Sequence, residues 1–112
     1  MKLRIEVGKI SFRLDFDELV RLLTDGDIQQ KIDLPQGQLS YIISVLPTGS
    51  PADFQTRDGV YILFLARDVI EDHKSALPAL KGIVNHFATE KGGEITVALE
   101  VNLKKKVKHS LE

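Results

Sequence analysis

The hexapeptide Val60-Tyr-Ile-Leu-Phe-Leu65 constrains this chain more than any other stretch. Read as a strand, it points apolar side chains to both sides. Such a strand must be covered on both faces or sit centrally in a sheet. It runs straight into a helix expected over about 66–75, which Pro78 stops. The same order occurs earlier, from Lys9 to Leu23. Ile10, Phe12, Leu14, Phe16, Leu19 and Val20 each have an apolar residue fifty positions on, at Val60, Ile62, Phe64, Ala66, Val69 and Ile70. In the same register Glu18 becomes Asp68, an acid in the first helical turn, where the macrodipole favours it. The pattern predicts a doubled unit.

The rest of the chain fits around these two segments. Residues 2–7 alternate, with Leu3, Ile5 and Val7 expected on the buried side. Gly8-Lys9 turns the chain, and Ile10, Phe12 and Leu14 alternate with Ser11 and Arg13, which makes a hairpin. Asp15, with Glu18 three residues on, forms a capping box for a helix whose apolar stripe is Phe16, Leu19, Val20 and Leu23. Gly26 is placed to end that helix. Strands are expected over 28–34, 39–46 and 53–57, with Pro35-Gln-Gly-Gln38 as a turn and Pro47-Thr-Gly-Ser-Pro51 as the joint between halves. Asp58-Gly59 is a hairpin signal. Leu80–Phe87 fits either a helix stripe or a strand. Gly82, Val84, Asn85 and Thr89 are poor helix formers, so the strand is preferred. Ile95, Val97, Leu99, Val101 and Leu103 mark one face of a last strand, with Thr96, Glu100 and Asn102 on the other.

The expected fold is α+β: two β-β-α-β-β halves, about 1–46 and 53–103. They would form one largely antiparallel curved sheet, or a small barrel, with two helices packed on it. With 112 residues this is a single globular domain over about 1–109. Residues 110–112 form a tail, of which Leu111-Glu112 resemble a cloning scar. The chain has no cysteine, which removes disulfides, thiolate catalysis and cysteine-ligated metals. The N-terminus lacks the roughly 7–15-residue apolar run of a signal peptide. No stretch approaches the roughly 20 apolar residues of a membrane helix. The expected location is cytoplasmic, with no membrane partner.

Lys2-Leu-Arg-Ile5, Ile10-Ser-Phe-Arg-Leu14 and Asp17-Glu-Leu-Val20 together resemble an uncharacterised family of small bacterial proteins. Its members open on a basic-apolar strand and follow with a strand carrying an arginine. A short helix with an acidic-aliphatic start comes next. The resemblance spans the first half and Gly59 to Asp68. It departs at the end, where the family's acid-Lys-Asp-Phe tail is replaced by Glu100-Val-Asn-Leu-Lys104. It implies no activity, and no functional residue is carried over.

Candidate chemistry is sparse. His73 lies in the last turn of the second helix, where the dipole alone welcomes it; a general base or ligand is the alternative. His86 and Asn85 point to opposite faces of a strand. His-x-x-x-His and clustered ligand spacings are missing from the sequence, so no metal and no cofactor is expected. The carboxylate groups Asp15, Asp17 and Glu18, Asp25 and Asp27, and Asp68, Glu71 and Asp72 are expected at helix starts and turns, where capping accounts for them without chemistry. No nucleophile elbow or phosphate loop exists, and no catalytic residue is assigned. Arg4 and Arg13 lie on the polar side of the first hairpin and, with His73, are the candidate binding residues. Lys104-Lys-Lys-Val-Lys108 and His109 form the one basic run, but the net charge is −1 and aromatics are few, so nucleic acid is not the expected partner.

The leading expectation is a small non-catalytic binding or protein-interaction module, with a homodimer joined through sheet faces or edges. One alternative is a hydrolase or isomerase using His73 or His86 with a carboxylate. Another is a nucleic-acid accessory protein using the Lys104–Lys108 tail.

Overall fold

A computed structural model of the protein describes residues 1–103. The elements, in order, are β1 Lys2–Glu6, β2 Lys9–Leu14, α1 Phe16–Asp25, β3 Asp27–Leu34, β4 Gly37–Leu46, β5 Asp53–Arg57, β6 Val60–Ala66, α2 Arg67–Ser75, β7 Ile83–Ala88 and β8 Glu94–Val101. The expected strand over Leu80–Phe87 forms, though it starts only at Ile83.

The eight strands make neither one curved sheet nor a closed barrel. They divide into two four-stranded sheets, ordered β1-β2-β8-β7 and β3-β4-β6-β5. Each sheet takes the first hairpin of one half and the second hairpin of the other. The helices are the crossovers: α1 carries the chain from the first sheet to the second, and α2 carries it back. Hairpin neighbours are antiparallel, but the two central pairs, β2 with β8 and β4 with β6, are parallel. The strands are thus largely antiparallel, as expected, and the two parallel pairs arise because those partners come from different halves and share no short loop.

One hydrophobic cluster joins both sheets and both helices. Ile10, Phe12 and Leu14 of β2 and Val97 and Leu99 of β8 meet Tyr41 and Ile43 of β4 and Leu63 and Leu65 of β6. Leu19, Leu22 and Ile70 enter from the helices. Each such side chain, fully withdrawn from water, contributes about 1.5–3 kcal/mol before entropy is counted. Phe12, wholly buried, stands between the sheets. Its ring lies 6.5 Å from Tyr41 and 6.2 Å from Phe54, both edge-on.

Strand alternation follows from that cluster and corrects the fifty-residue register. Gly8 and Gly59 occupy equivalent turns, both at positive φ. Their carbonyls accept from Thr96 and Ser40 of the neighbouring parallel strands. The offset is therefore 51, which pairs Phe12 with Leu63 and Leu14 with Leu65, all at most 1% exposed. Val60, Ile62 and Phe64 belong to the opposite, outer face of β6. In a strand a slip of one residue exchanges the faces. By the same offset His73 stands where α1 has the buried Leu22.

The capping box of α1 is present, with Glu18 N–H donating to Asp15 and Asp15 N–H donating to Glu18. Gly26 ends the helix at φ 88°. The buried stripe is rotated from the expected one. Leu22 is inside and Val20 is 38% exposed, because α1 packs between two sheets rather than on one. Ile5 and Val7 are exposed instead of buried, since β1 is an edge strand that reaches the core only through Leu3. The helices are tied together by Arg67, which donates to the Leu23 carbonyl at the end of α1, and by Lys74 over the Phe16 ring. Among the described residues no helix is long and apolar enough to cross a membrane.

Candidate functional site

The outer faces of the two sheets differ in chemistry. The first sheet presents Arg4 and Glu6 from β1, Lys9, Ser11 and Arg13 from β2, Thr96, Ala98 and Glu100 from β8, and Val84 and His86 from β7. Its centre is made of small residues, Ser11 and Ala98, which the longer side chains around them bury. Ser11 and Ala98 are the floor of this face, between longer charged side chains.

At one end of that floor the chain leaving α2 returns over the sheet before entering β7. It closes a cleft of about 780 Å³. Lys9, Arg13 and Glu100 line its sheet side, His73 its helix side, and Leu80, Lys81 and Gly82 its loop side. Three cations, Lys9, Arg13 and Lys81, and one carboxylate, Glu100, thus line the cleft. Arg13 donates from Nε to Glu100 at 2.9 Å, and Lys9 Nζ stands 4.0 Å from the other oxygen of Glu100. Both groups of the Arg13–Glu100 pair are partly solvated, so the pair contributes little to stability and mainly holds the guanidinium in place.

Gly82 lets the loop come this close. A Cβ there would lie 2.2 Å from the Leu99 carbonyl oxygen. Only a residue without a side chain allows the loop to press its backbone onto β8. The apolar lip is formed by Leu80, fully exposed, and Val84, 46% exposed.

The cleft brings together two of the three residues singled out from sequence, Arg13 and His73. Arg4 shares the sheet face but lies outside the cleft, 3.2 Å from Glu6. Lys9, Lys81, Gly82 and Glu100 were missed. Lys9 reads as a turn residue in sequence, yet it falls on the same face as Arg13, four positions away on one strand. Glu100 was on the expected polar side of its strand. Its place beside Arg13 needs the parallel β2–β8 pairing, for which no local signal exists.

His86 lies on the same face, beyond the cleft. Its Nδ1 is 3.0 Å from Thr96 Oγ1 and 3.5 Å from Glu94. Burial, and secondarily the charge of Glu18, push the Tyr41 phenol up. Its hydroxyl donates to the Met1 carbonyl at 3.3 Å, and it faces the core rather than the cleft. No group of three or more metal-ligating side chains occurs among the described residues. The basic run Lys104–Lys108 and His109, with the tail 110–112, lies outside the described residues.

The chain belongs to a family of unknown function (DUF7009), whose model matches residues 1–107. This agrees with the resemblance to an uncharacterised family. No curated protein matches the sequence.

Proposed function

We propose that this protein is a non-catalytic binding module, and that the cleft on the outer face of its first sheet takes a small organic anion. The observation that carries this reading is the excess of cations: Lys9, Arg13 and Lys81 line the cleft beside a single carboxylate, Glu100, which Arg13 and Lys9 approach. Arg13 supplies a planar fork suited to carboxylate or phosphate. Lys9 and Lys81 add point charges, and Leu80 and Val84 give an apolar part of the ligand somewhere to rest. His73, at the mouth, adds a further donor when protonated.

The test is calorimetric titration with inorganic phosphate and with a small aromatic carboxylate, at low and high salt. Saturable binding that weakens with salt and is lost in Arg13→Gln supports the module. No heat up to about 10 mM ligand, a dissociation constant worth less than roughly 3 kcal/mol, rejects it.

The approach of His86 to Glu94 favours a second reading, a hydrolase or isomerase with His86 as base. Both side chains are more than half exposed, so no apolar pocket encloses the pair. Turnover of generic ester substrates that disappears in His86→Ala would favour this reading over the first.

The cross-built sheets also support reading the halves as a true duplication in the 51-residue register. A cytoplasmic location remains the expectation that goes with the sequence.

A further inference from the structure

The outer face of the second sheet is apolar where that of the first is charged. Ile42 of β4 lies beside Ile62 of β6, and Val60 and Phe64 flank Ile62 along the same strand. None of the four belongs to the core cluster, and all are partly exposed. Ser40 and Ser44 fill the gaps between them. A contiguous, partly exposed apolar centre ringed by polar residues is the pattern of an interaction surface.

The rim says what covers it. Across the sheet the rows read Asp27–Ser44–Phe64–Asp53, then Gln29–Ile42–Ile62–Gln55, then Lys31–Ser40–Val60–Arg57. One end of the face carries two acids, the middle two amides, and the other end two bases, all exposed. A second copy, turned by a two-fold axis across the strands, sets Asp27 over Lys31 and Asp53 over Arg57 of its mate. Gln29, Ile42, Ile62 and Gln55 each meet themselves. A two-fold axis along the strands would instead set acid over acid and base over base. The face is therefore complementary to itself in one orientation only, as an isologous interface requires.

We propose that this chain forms a symmetric dimer through the outer face of its second sheet, with the strands of the two copies antiparallel. The face is small. Four strands about 4.8 Å apart and some eight residues long cover roughly 500 Å². That is below the roughly 800 Å² per partner of a standard interface. The dimer is accordingly a weak, reversible one, with a dissociation constant of roughly 10–100 µM. The charged edges β3 and β5 keep the sheet from extending edge to edge instead. The cleft on the first sheet lies on the far side of the molecule and stays open in the dimer.

Sedimentation equilibrium of the full chain, from about 5 µM to about 1 mM, tests this. The wild type is expected to dimerise reversibly. Ile62→Lys is expected to be monomeric throughout, with an unchanged far-ultraviolet circular dichroism spectrum. Asp53→Lys and Arg57→Asp lie on the exposed rim, where Asp53 also accepts from Phe54 N–H and Gln55 Nε2 of its own strand, and each is expected to weaken the dimer about tenfold or more. Combining them restores the cross-copy pairs and is expected to return affinity to within about threefold of wild type. A chain that stays monomeric at the highest concentration overturns the proposal and leaves the face to another partner. Dimerisation surviving Ile62→Lys places the contact elsewhere. Neutral single reversals, or a double variant no better than the singles, overturn the antiparallel arrangement.

Discussion

Gly82→Ala probes the fold and the cleft together. The added Cβ would sit 2.2 Å from the Leu99 carbonyl oxygen and 3.0 Å from its carbon. Both are backbone atoms of the central strand β8, paired on one side with β2 and on the other with β7. Neither can swing away as a side chain would. Ordinary carbon–oxygen contact needs about 1 Å more, so the loop must lift off the strand. Overpacking of this kind costs about 1–3 kcal/mol, and the upper end applies where backbone meets backbone. Against a total stability of about 5–15 kcal/mol that is a large fraction. In urea, with a slope of about 1–3 kcal/mol per molar, the midpoint should fall by about 1 M or more. Because Lys81 and Leu80 ride on the same loop, anion affinity in the cleft should fall too. Gly8→Ala serves as contrast: no atom lies within 4 Å of its new Cβ, and only the positive φ of 79° is penalised. A Gly82→Ala variant within about 0.5 kcal/mol of wild type would refute the close approach of loop to strand.

Other outcomes follow from the same packing. Phe12→Ala removes the ring between the two sheets and should cost about 3–5 kcal/mol by thermal or urea unfolding; a loss under about 1 kcal/mol would mean the sheets do not meet there. Asp15→Ala removes the cap accepted from Glu18 N–H and should cost about 1 kcal/mol, read as a lower melting temperature. Tyr41 has its phenol pushed up in the folded state, so the folded chain holds that proton longer than the unfolded one. Its contribution to stability is full below about pH 10 and is lost as pH rises through the folded value. Tyr41→Phe should therefore differ from wild type by a constant amount below about pH 10, from the lost bond to the Met1 carbonyl, and the difference should change only above about pH 10, with the variant less sensitive to alkali.

Local features were legible because local chemistry sets them. The Asp15–Glu18 box, the Gly26 stop, the Asp58-Gly59 turn and the strands either side of it all read directly from neighbouring residues. The strand at Ile83–Ala88 was readable from its poor helix formers. What sequence hid was partnership at long range. Nothing near Leu14 or Val101 announces that they lie side by side, since parallel partners share no turn. The one-residue difference between the fifty-residue register and the structural match of the two hairpins has a simple cause. Val60–Leu65 is apolar on both faces, so alternation alone selects Val60, Ile62 and Phe64 as readily as Tyr61, Leu63 and Leu65. That ambiguity is itself informative, for the face left outside is the apolar one. At the cleft, Arg13 and His73 stood out by type, whereas Lys81 and Gly82 gain their place only from the path of the loop.

The cleft is best tested by a titration of the labelled chain with inorganic phosphate, followed by amide ¹H–¹⁵N correlation spectra. Saturable shifts centred on Lys9, Arg13, Lys81, Gly82 and Glu100, and abolished by Arg13→Gln, are the expected result. Spectra that do not change, or that change chiefly around Ile42 and Ile62 on the opposite sheet, would contradict it.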